Sequence, residues 1–306
     1  MLDDAAVLQA HRERTRSLDV LLPEPGPIPD PGDGDTILRT EGALGLARRR
    51  LVDADGLPAV WAALDQRWLG AMVTGPQAMN ALLGRWREHL ANGPAPAGDC
   101  AGFVGWPSRD VVMTRVFLDH GLVPDAVVAV RPSGRSTPVN DAAAAATVRV
   151  RRARPDDLET VVALCLDEVR YGAQLGGTPQ RPNTVTLLRE RSVAALSEAD
   201  PLVWVAERDG EVTGLVSVVV GQQAAWIAPL VAAAPAAYVD CAAVTPGRRG
   251  GGVAAQIVRH VHDAMDAAGI AATLLHYGAL NPLSGPLWHR SGYRPLRTRW
   301  TLRIAR

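Results

Sequence analysis

Val244-Thr-Pro-Gly-Arg-Arg-Gly-Gly-Gly-Val-Ala-Ala255 is the stretch that decides how the second half of this chain folds. It follows an apolar run, 236–244, that predicts a buried strand, and precedes residues 256–268, where apolar side chains recur at helical spacing. Consecutive glycines let backbone N–H groups turn inward at φ values that other residues avoid. The helix start adds unpaired N–H groups, and Arg248 and Arg249 add formal charge. The stretch therefore predicts a loop that binds phosphate or pyrophosphate.

The spacing of the glycines distinguishes between kinds of phosphate loop. A Walker loop requires a lysine, and this sequence contains none. The dinucleotide fingerprint G-x-G-x-x-G does not fit Gly247, Gly250 and Gly252. The pattern Arg249-x-x-Gly252-x-Ala254 instead matches Q/R-x-x-G-x-G/A. It resembles the acyl-CoA pyrophosphate loop of the GNAT superfamily of N-acyltransferases.

The sequence on both sides of the loop supports this resemblance. Residues 271–275 predict another strand, and the segment 281–295 then resembles the second GNAT signature, with Asn281 before a short helix and Gly292-Tyr293 opening the last strand. Upstream, residues 147–157 resemble the first strand and helix start of the family. Residues 201–220 form a hairpin pattern around an Asp-Gly turn. The resemblance implies an α/β fold with a mixed sheet, the GNAT acyl-CoA N-acyltransferase fold, over 147–306.

The first half of the chain repeats part of this pattern. Helices are predicted over 58–69, 77–90 and 110–120, and strands over 101–106 and 125–131. Gly121 aligns with Gly292, 171 positions later, and the same shift aligns Phe117 with Trp288 and Asp110 with Asn281. The glycine loop has no counterpart, because Val73-Thr-Gly-Pro76 stands before the helix at 77. We therefore expect a degenerate, partial GNAT-like domain that binds no acyl-CoA productively and covers the sheet or shapes the acceptor cleft.

These patterns divide the chain into four parts. Residues 1–35 are expected to be an N-terminal extension with five prolines between 23 and 31. Residues 36–131 form the degenerate GNAT-like domain, 132–146 a linker rich in Pro, Ser, Gly and Ala, and 147–306 the GNAT N-acetyltransferase domain.

The amino-acid composition limits which binding partners and which cellular compartment are expected. Lys+Arg and Asp+Glu are both 32, so bulk charge points to neither nucleic acid nor an anionic membrane as a partner. Three widely spaced cysteines give no zinc spacing and no disulfide framework, and we expect a reducing cytoplasm and no metal. No apolar stretch is long enough for a membrane span. The lysine-free, arginine- and alanine-rich composition is typical of a high-GC bacterial genome, and the oligomeric state stays open between monomer and homodimer.

The resemblance implies where acetyl-CoA, the expected co-substrate, would be held. Backbone groups of Ala243 and Val244 would pair with the pantetheine arm, and Asn281 and Ser284 would face it. The pyrophosphate would be held by backbone N–H groups of the loop, namely those of Arg249, Gly250, Gly251, Gly252, Val253 and Ala254.

The expected reaction is direct attack of a primary amine, on a small molecule or a peptide, on the thioester carbonyl. A base must remove the ammonium proton, because amines with a pKa near ~10 are mostly protonated at neutral pH. Asp240 and Tyr238 share a strand face with Val244 by the two-residue period, and His276 ends the next strand. We favour Asp240 first and His276 second as the base, with the alternative that Asp240 is a paired structural carboxylate.

The acid that would protonate the leaving thiolate stays unassigned. Many GNAT proteins use a tyrosine on the last helix, but Trp288 stands there and cannot act as an acid. Besides an active N-acetyltransferase, two alternatives remain: an acyl-CoA-binding module that has lost catalysis, and a scaffold protein on the GNAT fold. The intact glycines and arginines of the loop disfavour the scaffold.

Overall fold

A computed structural model describes residues 3–96, 99–135, 148–176 and 178–304. Within these residues the chain has a mixed α/β fold with seven helices and eleven strands. The helices are α1 Asp4–Leu18, α2 Pro76–Asn92, α3 Val111–Asp119, α4 Leu158–Gln174, α5 Thr184–Leu196, α6 Val253–Ala267 and α7 Ser284–Arg290. The strands are β1 Thr36–Thr40, β2 Ala43–Leu51, β3 Asp65–Val73, β4 Cys100–Pro107, β5 Val123–Pro132, β6 Arg149–Arg152, β7 Val203–Arg208, β8 Glu211–Val219, β9 Ala236–Val244, β10 Ala272–Gly278 and β11 Arg294–Arg303.

The chain folds into two compact units, each assembled from separate segments. The first contains Met1–Ala54, Ala62–Val128 and Pro295–Arg306, and the second contains Asp55–Trp61 and Ala129–Arg294. The predicted domain boundaries stay a prediction. The predicted linker, 132–146, lies mostly outside the described residues.

The first unit is built on the strand order β1-β2-β3-β4-β11, followed by the start of β5. Strands β1, β2 and β3 are antiparallel, β3 and β4 are parallel, and β11 runs antiparallel to β4. Helices α2 and α3 bury Leu82, Trp86 and Phe117 against this sheet. Phe117 stacks on Trp300 of β11 at 4.9 Å between ring centroids. The end of the described chain therefore completes the core of the first unit.

The second unit has the strand order β5-β10-β9-β8-β7-β6, with β5 contributing from Ala129 onward. β9 and β10 are parallel and β6 to β9 are antiparallel. The Asp209-Gly210 turn joins β7 and β8 with both residues at positive φ, as predicted for the hairpin. Helix α6 packs on one face of the sheet, and α4 and α5 pack on the other.

Most of the predicted elements are confirmed, and one is wrong. The predicted helix over 58–69 is instead a short 3₁₀ turn, Leu57–Val60, followed by β3. Apolar residues at helical spacing there coincide with a strand that is paired on both sides, by β2 and by β4. Tertiary structure overrides the local pattern, because α2 covers one face of β3 and α1 covers the other, so the strand is buried on both faces and loses its alternation.

The internal repeat is present in the backbone geometry. Gly121 and Gly292 end α3 and α7 with φ of 77° and 89°. In each turn the following N–H donates back to the aromatic residue: Leu122 to the Phe117 carbonyl and Tyr293 to the Trp288 carbonyl, both at 3.0 Å. In both halves this turn leads from a helix into a strand, and both halves contain a parallel strand pair, β3 with β4 and β9 with β10. The two turns that suggested the repeat in the sequence therefore share one backbone geometry, and the repeat itself stays a prediction.

Candidate active site

The glycine-rich loop forms an open turn in front of α6. After β9 the chain makes a 3₁₀ turn, Pro246–Arg248, and Gly250 and Gly252 take φ of 80° and 79°. Gly252 is the N-cap of α6, and no side chain caps the helix. Helical bonding begins with the Gln256 N–H, which donates to the Gly252 carbonyl at 3.1 Å. The N–H groups of 253–255 have no intrahelical partner, so they are suited to bind an anion.

Three arginines surround this loop, and they differ in how their charge is compensated. Arg249 donates from Nε to the Val244 carbonyl at 3.1 Å and lies over the Tyr171 ring at 5.2 Å, contacts that leave its charge in place. Arg248 pairs with Asp209 at 3.4 Å and Glu211 at 3.7 Å. Sequence reasoning missed the third, Arg208.

Arg208 lies against the backbone of the loop. A Cβ added at Gly251 would fall 2.6 Å from its Nη1. Its position at the end of β7, before the hairpin turn, gave no signal in the sequence. Since a guanidinium binds phosphate well, the loop combines helix-start N–H groups with positive charge from its own Arg249 and from Arg208 at the end of β7.

The strands β9 and β10 separate just before the loop. Their parallel pairing runs from Ala236 opposite Ala272 to Val239 opposite Leu275. β9 continues along β8 as far as Val244, opposite Gly214. Over residues 240–244, the backbone edge of β9 that faces β10 is therefore not paired with β10. This segment includes the predicted positions Ala243 and Val244. Backbone groups along such an edge can pair with an extended ligand.

Asn281 and Ser284 lie at the start of α7. The Asn281 Oδ1 accepts hydrogen bonds from the N–H groups of Leu283 and Ser284, at 3.0 and 3.1 Å. This side chain therefore holds the start of α7 in place. The Ser284 Oγ is buried and has no hydrogen-bond partner among the described residues. A buried hydroxyl without a partner indicates that a ligand or water atom is needed beside it.

A β-bulge places Asp240 differently from the prediction. Opposite the consecutive residues Ser217 and Val218 of β8, the pairing skips from Cys241 to Val239, so Asp240 is the extra residue on β9. The prediction that Asp240 shares a strand face with Val244 by the two-residue period is consequently wrong, because the bulge interrupts the alternation of side chains. Val244 packs with the α6 side of the sheet, whereas Cys241 packs with the α4 and α5 side and Asp240 bonds to α5. Bulges are common beside active sites, where they re-aim side chains.

The three predicted catalytic residues belong to two pairs, one of which is completed by Arg191 of α5. Asp240 forms an ion pair with Arg191 of α5, whose guanidinium also donates to the Ser217 Oγ at 3.4 Å. Tyr238 and His276 share a hydrogen bond of 3.1 Å between the phenol oxygen and Nδ1. Burial, and then the nearby carboxylates Asp240 and Glu168, raise the pKa of the Tyr238 phenol. The phenol therefore stays protonated at neutral pH.

Two residues that the sequence did not indicate complete this side of the sheet. Glu168 of α4 accepts a hydrogen bond from the Trp61 indole Nε1 at 3.5 Å. Trp61 follows the 3₁₀ turn Leu57–Val60, which joins the second unit because Val60 packs in its core and Ala59 accepts a hydrogen bond from Arg181. Arg191 lies over the Trp61 ring at 5.3 Å. Neither residue carries a motif, and only the fold brings them together.

Trp288 does not lie at the surface of the site. It is 4% exposed and packs edge-on against Tyr293 at 5.3 Å, inside the core beneath α6. Tyr277 of β10, which belongs to the same cluster, shares a hydrogen bond of 3.0 Å between its hydroxyl and the Nε2 of His289. The position that carries a tyrosine in many GNAT proteins is therefore used here for packing.

Comparison with known proteins identifies the class. Residues 174–293 match the model of the acetyltransferase (GNAT) family, so the chain contains a GNAT acetyltransferase domain. A search of the curated proteins finds no match. Solved GNAT structures share the fold. One, a GCN5-related N-acetyltransferase from Sphaerobacter thermophilus, has a TM-score of 0.50 at 15% identity over 85% of this chain and 76% of that one.

A second solved structure matches along nearly the whole length. A GNAT-family acetyltransferase from Colwellia psychrerythraea has a TM-score of 0.51 at 10% identity, covering 98% of this chain and 97% of that one. In the described residues no group of three or more His, Cys, Asp or Glu side chains is arranged to hold a metal ion. Nor does any helix there combine the length and apolar character of a membrane span.

Proposed function

We propose that this protein is an acyl-CoA-dependent N-acyltransferase that transfers acetyl from acetyl-CoA to a primary amine of a small molecule or peptide. The observation that carries this proposal is the separation of β9 from β10 after Val239, directly before the turn in which Gly250 and Gly252 have positive φ. An unpaired strand edge next to an uncapped helix start suits a ligand with an amide-bearing arm and a pyrophosphate.

The residues present fit such a ligand. The N–H groups from Arg249 to Ala254 would hold the pyrophosphate, with positive charge from Arg249 and Arg208. The backbone at Ala243 and Val244 would pair with the pantetheine arm, and the unpartnered Ser284 hydroxyl would gain a partner. Asn281 would act by fixing the start of α7, because its Oδ1 already accepts two N–H groups.

The chemistry needs a proton acceptor and a donor for the carbonyl oxygen. The bound thioester supplies an activated acyl group. The Val244 N–H would polarise its carbonyl, since preformed backbone donors stabilise charge that develops in the transition state. Asp240, His276 and Tyr238 are the residues that the sequence offers as acceptors of the amine proton, with Asp240 paired to Arg191 and His276 bonded to Tyr238. Trp288 supplies no acid, so the thiolate would leave without help from α7.

The test is calorimetric titration of the full chain with acetyl-CoA, followed by assay of thiol release with a panel of primary amines. We expect one site per chain and amine-dependent release of the thiol. Absence of binding by the full chain would refute the proposal.

A second candidate is an acyl-CoA-binding module with reduced catalysis. The burial of Trp288 in place of a tyrosine favours it, because one expected acid is missing. Binding of acetyl-CoA with no thiol release for any amine would select this candidate, and rapid release would exclude it.

A further inference from the structure

The carboxylate of Glu168 has no role so far, and its surroundings differ from those of Asp240. Both belong to the second unit and lie on the side of the sheet covered by α4 and α5. Asp240 is bound directly by the guanidinium of Arg191, which is itself 14% exposed at its side chain. The negative charge of Asp240 is therefore already compensated by a cation.

Glu168 is held only weakly by comparison. The hydrogen bond that the structure gives it comes from the neutral Trp61 indole at 3.5 Å, the outer limit of such a bond. Burial raises the pKa of the Glu168 carboxyl, the indole N–H and Arg191 lower it, and Asp240 raises it. Two carboxylates with different environments commonly divide acid and base roles between them.

The titratable groups around Glu168 come from three elements. Cys165 lies on its own helix α4, Arg191 on α5, and Asp240, Tyr238 and Cys241 on β9. Arg191 is paired to Asp240, and among the described residues no cation forms an ion pair with Glu168. An approaching ammonium group would therefore meet it as the negative charge of the site.

We propose that Glu168 accepts the proton of the attacking ammonium group and that Trp61 is the positioning residue that orients its carboxylate. This inference rests on the proposed N-acyltransferase function. The ammonium proton moves to the Glu168 carboxylate, and the freed amine lone pair forms a C–N bond to the thioester carbonyl carbon. The C–S bond breaks, the thiolate takes the second proton lost by the nitrogen, and Glu168 returns its proton to solvent.

The test compares Glu168→Gln with Asp240→Asn and with Glu159→Gln, a control glutamate on the same helix that pairs with Arg189 at the surface. Each variant is assayed with tyramine, which is protonated at neutral pH, and with trifluoroethylamine, which is largely unprotonated. Retained acetyl-CoA binding shows that a variant is folded.

We expect Glu168→Gln to lower kcat/KM for tyramine by about 10²-fold or more. The same variant should change transfer to trifluoroethylamine little and remove the acidic limb of the pH profile of kcat/KM. Glu159→Gln should behave as the unmodified protein. Trp61→Phe should move the acidic limb to higher pH, because the indole N–H stabilises the ionised carboxylate.

Three results would overturn the inference: an equal loss for both amines, an acidic limb that persists in Glu168→Gln, or an Asp240→Asn variant that alone shows the amine-dependent loss. Binding of acetyl-CoA without acetylation of any amine by the unmodified protein would refute the transferase function and, with it, a catalytic role of Glu168. If Glu168→Gln does not fold, Trp61→Phe provides the test: a shift of the acidic limb to higher pH supports the inference, and an unchanged limb refutes it. Failure to bind acetyl-CoA at all would instead refute the proposed function.

Discussion

Replacing Gly250 by valine tests the loop while a second glycine controls for backbone strain. Gly250 has φ of 80° and a Cβ there would have no atom within 4 Å. Gly269, just after the end of α6, has φ of 75° and is equally open. Valine in this left-handed region costs about 1–3 kcal/mol at either position. Gly250→Val and Gly269→Val should therefore lower the free energy of unfolding by similar amounts.

Only the variant in the loop should lose affinity for acetyl-CoA. A side chain at Gly250 would disturb the N–H groups that we propose as donors to the charged pyrophosphate, and hydrogen bonds to charged groups are worth about 1.5–3 kcal/mol. That loss corresponds to a Kd raised about ten- to hundredfold. Calorimetric titration measures the affinity, and urea unfolding measures the strain. Equal affinities of the two variants would refute the placement of the pyrophosphate.

Three further predictions follow from buried side chains. Ser284→Ala should leave the free energy of unfolding of the free protein nearly unchanged, because the Ser284 Oγ has no hydrogen-bond partner in the described part of the chain. It should nevertheless weaken acetyl-CoA binding, measured by calorimetry, by about 0.5–1.5 kcal/mol. Trp288→Phe should lower the melting temperature by removing packing against Tyr293 but leave the kcat of acetyl transfer unchanged; a large fall in kcat would contradict its purely structural role. Burial lowers the pKa of His262 from 6.5 to about 3, so its unfolded form binds the extra proton and stability falls as the pH drops from about 6.5. Urea unfolding should show a loss approaching ~1.4 kcal/mol per pH unit from this group, and His262→Gln should show a shallower dependence.

The sequence was most informative where local chemistry determines structure. Glycines at positive φ, the Asp-Gly hairpin and the helix-ending turns at Gly121 and Gly292 could all be predicted, because only a few residue types accept those conformations. Their spacing also indicated the GNAT class and the internal repeat. The helix predicted over 58–69 failed for the opposite reason, since pairing with β2 and β4 decides that segment.

The acceptor side of the candidate site could not be predicted from the sequence. The bulge at Asp240 depends on the register with β8, which no local pattern encodes. Glu168 and Trp61 are more than 100 positions apart and meet only because the 3₁₀ turn Leu57–Val60 packs with the second unit. The assignments of Asp240, His276 and Tyr238 remain predictions, now with defined partners.

The last strand has a consequence for how the protein is made. β11 pairs with β4 from Arg297 opposite Pro107 to Arg303 opposite Ala101, and Trp300 fills the core beside Phe117. During synthesis the first unit therefore cannot close until residues beyond Pro295 have left the ribosome. Until then, β4 would present an unpaired edge, which chaperones or a neighbouring chain can bind. The first unit is therefore expected to complete its sheet last, in contrast to the usual N-terminal-first order of consecutive domains.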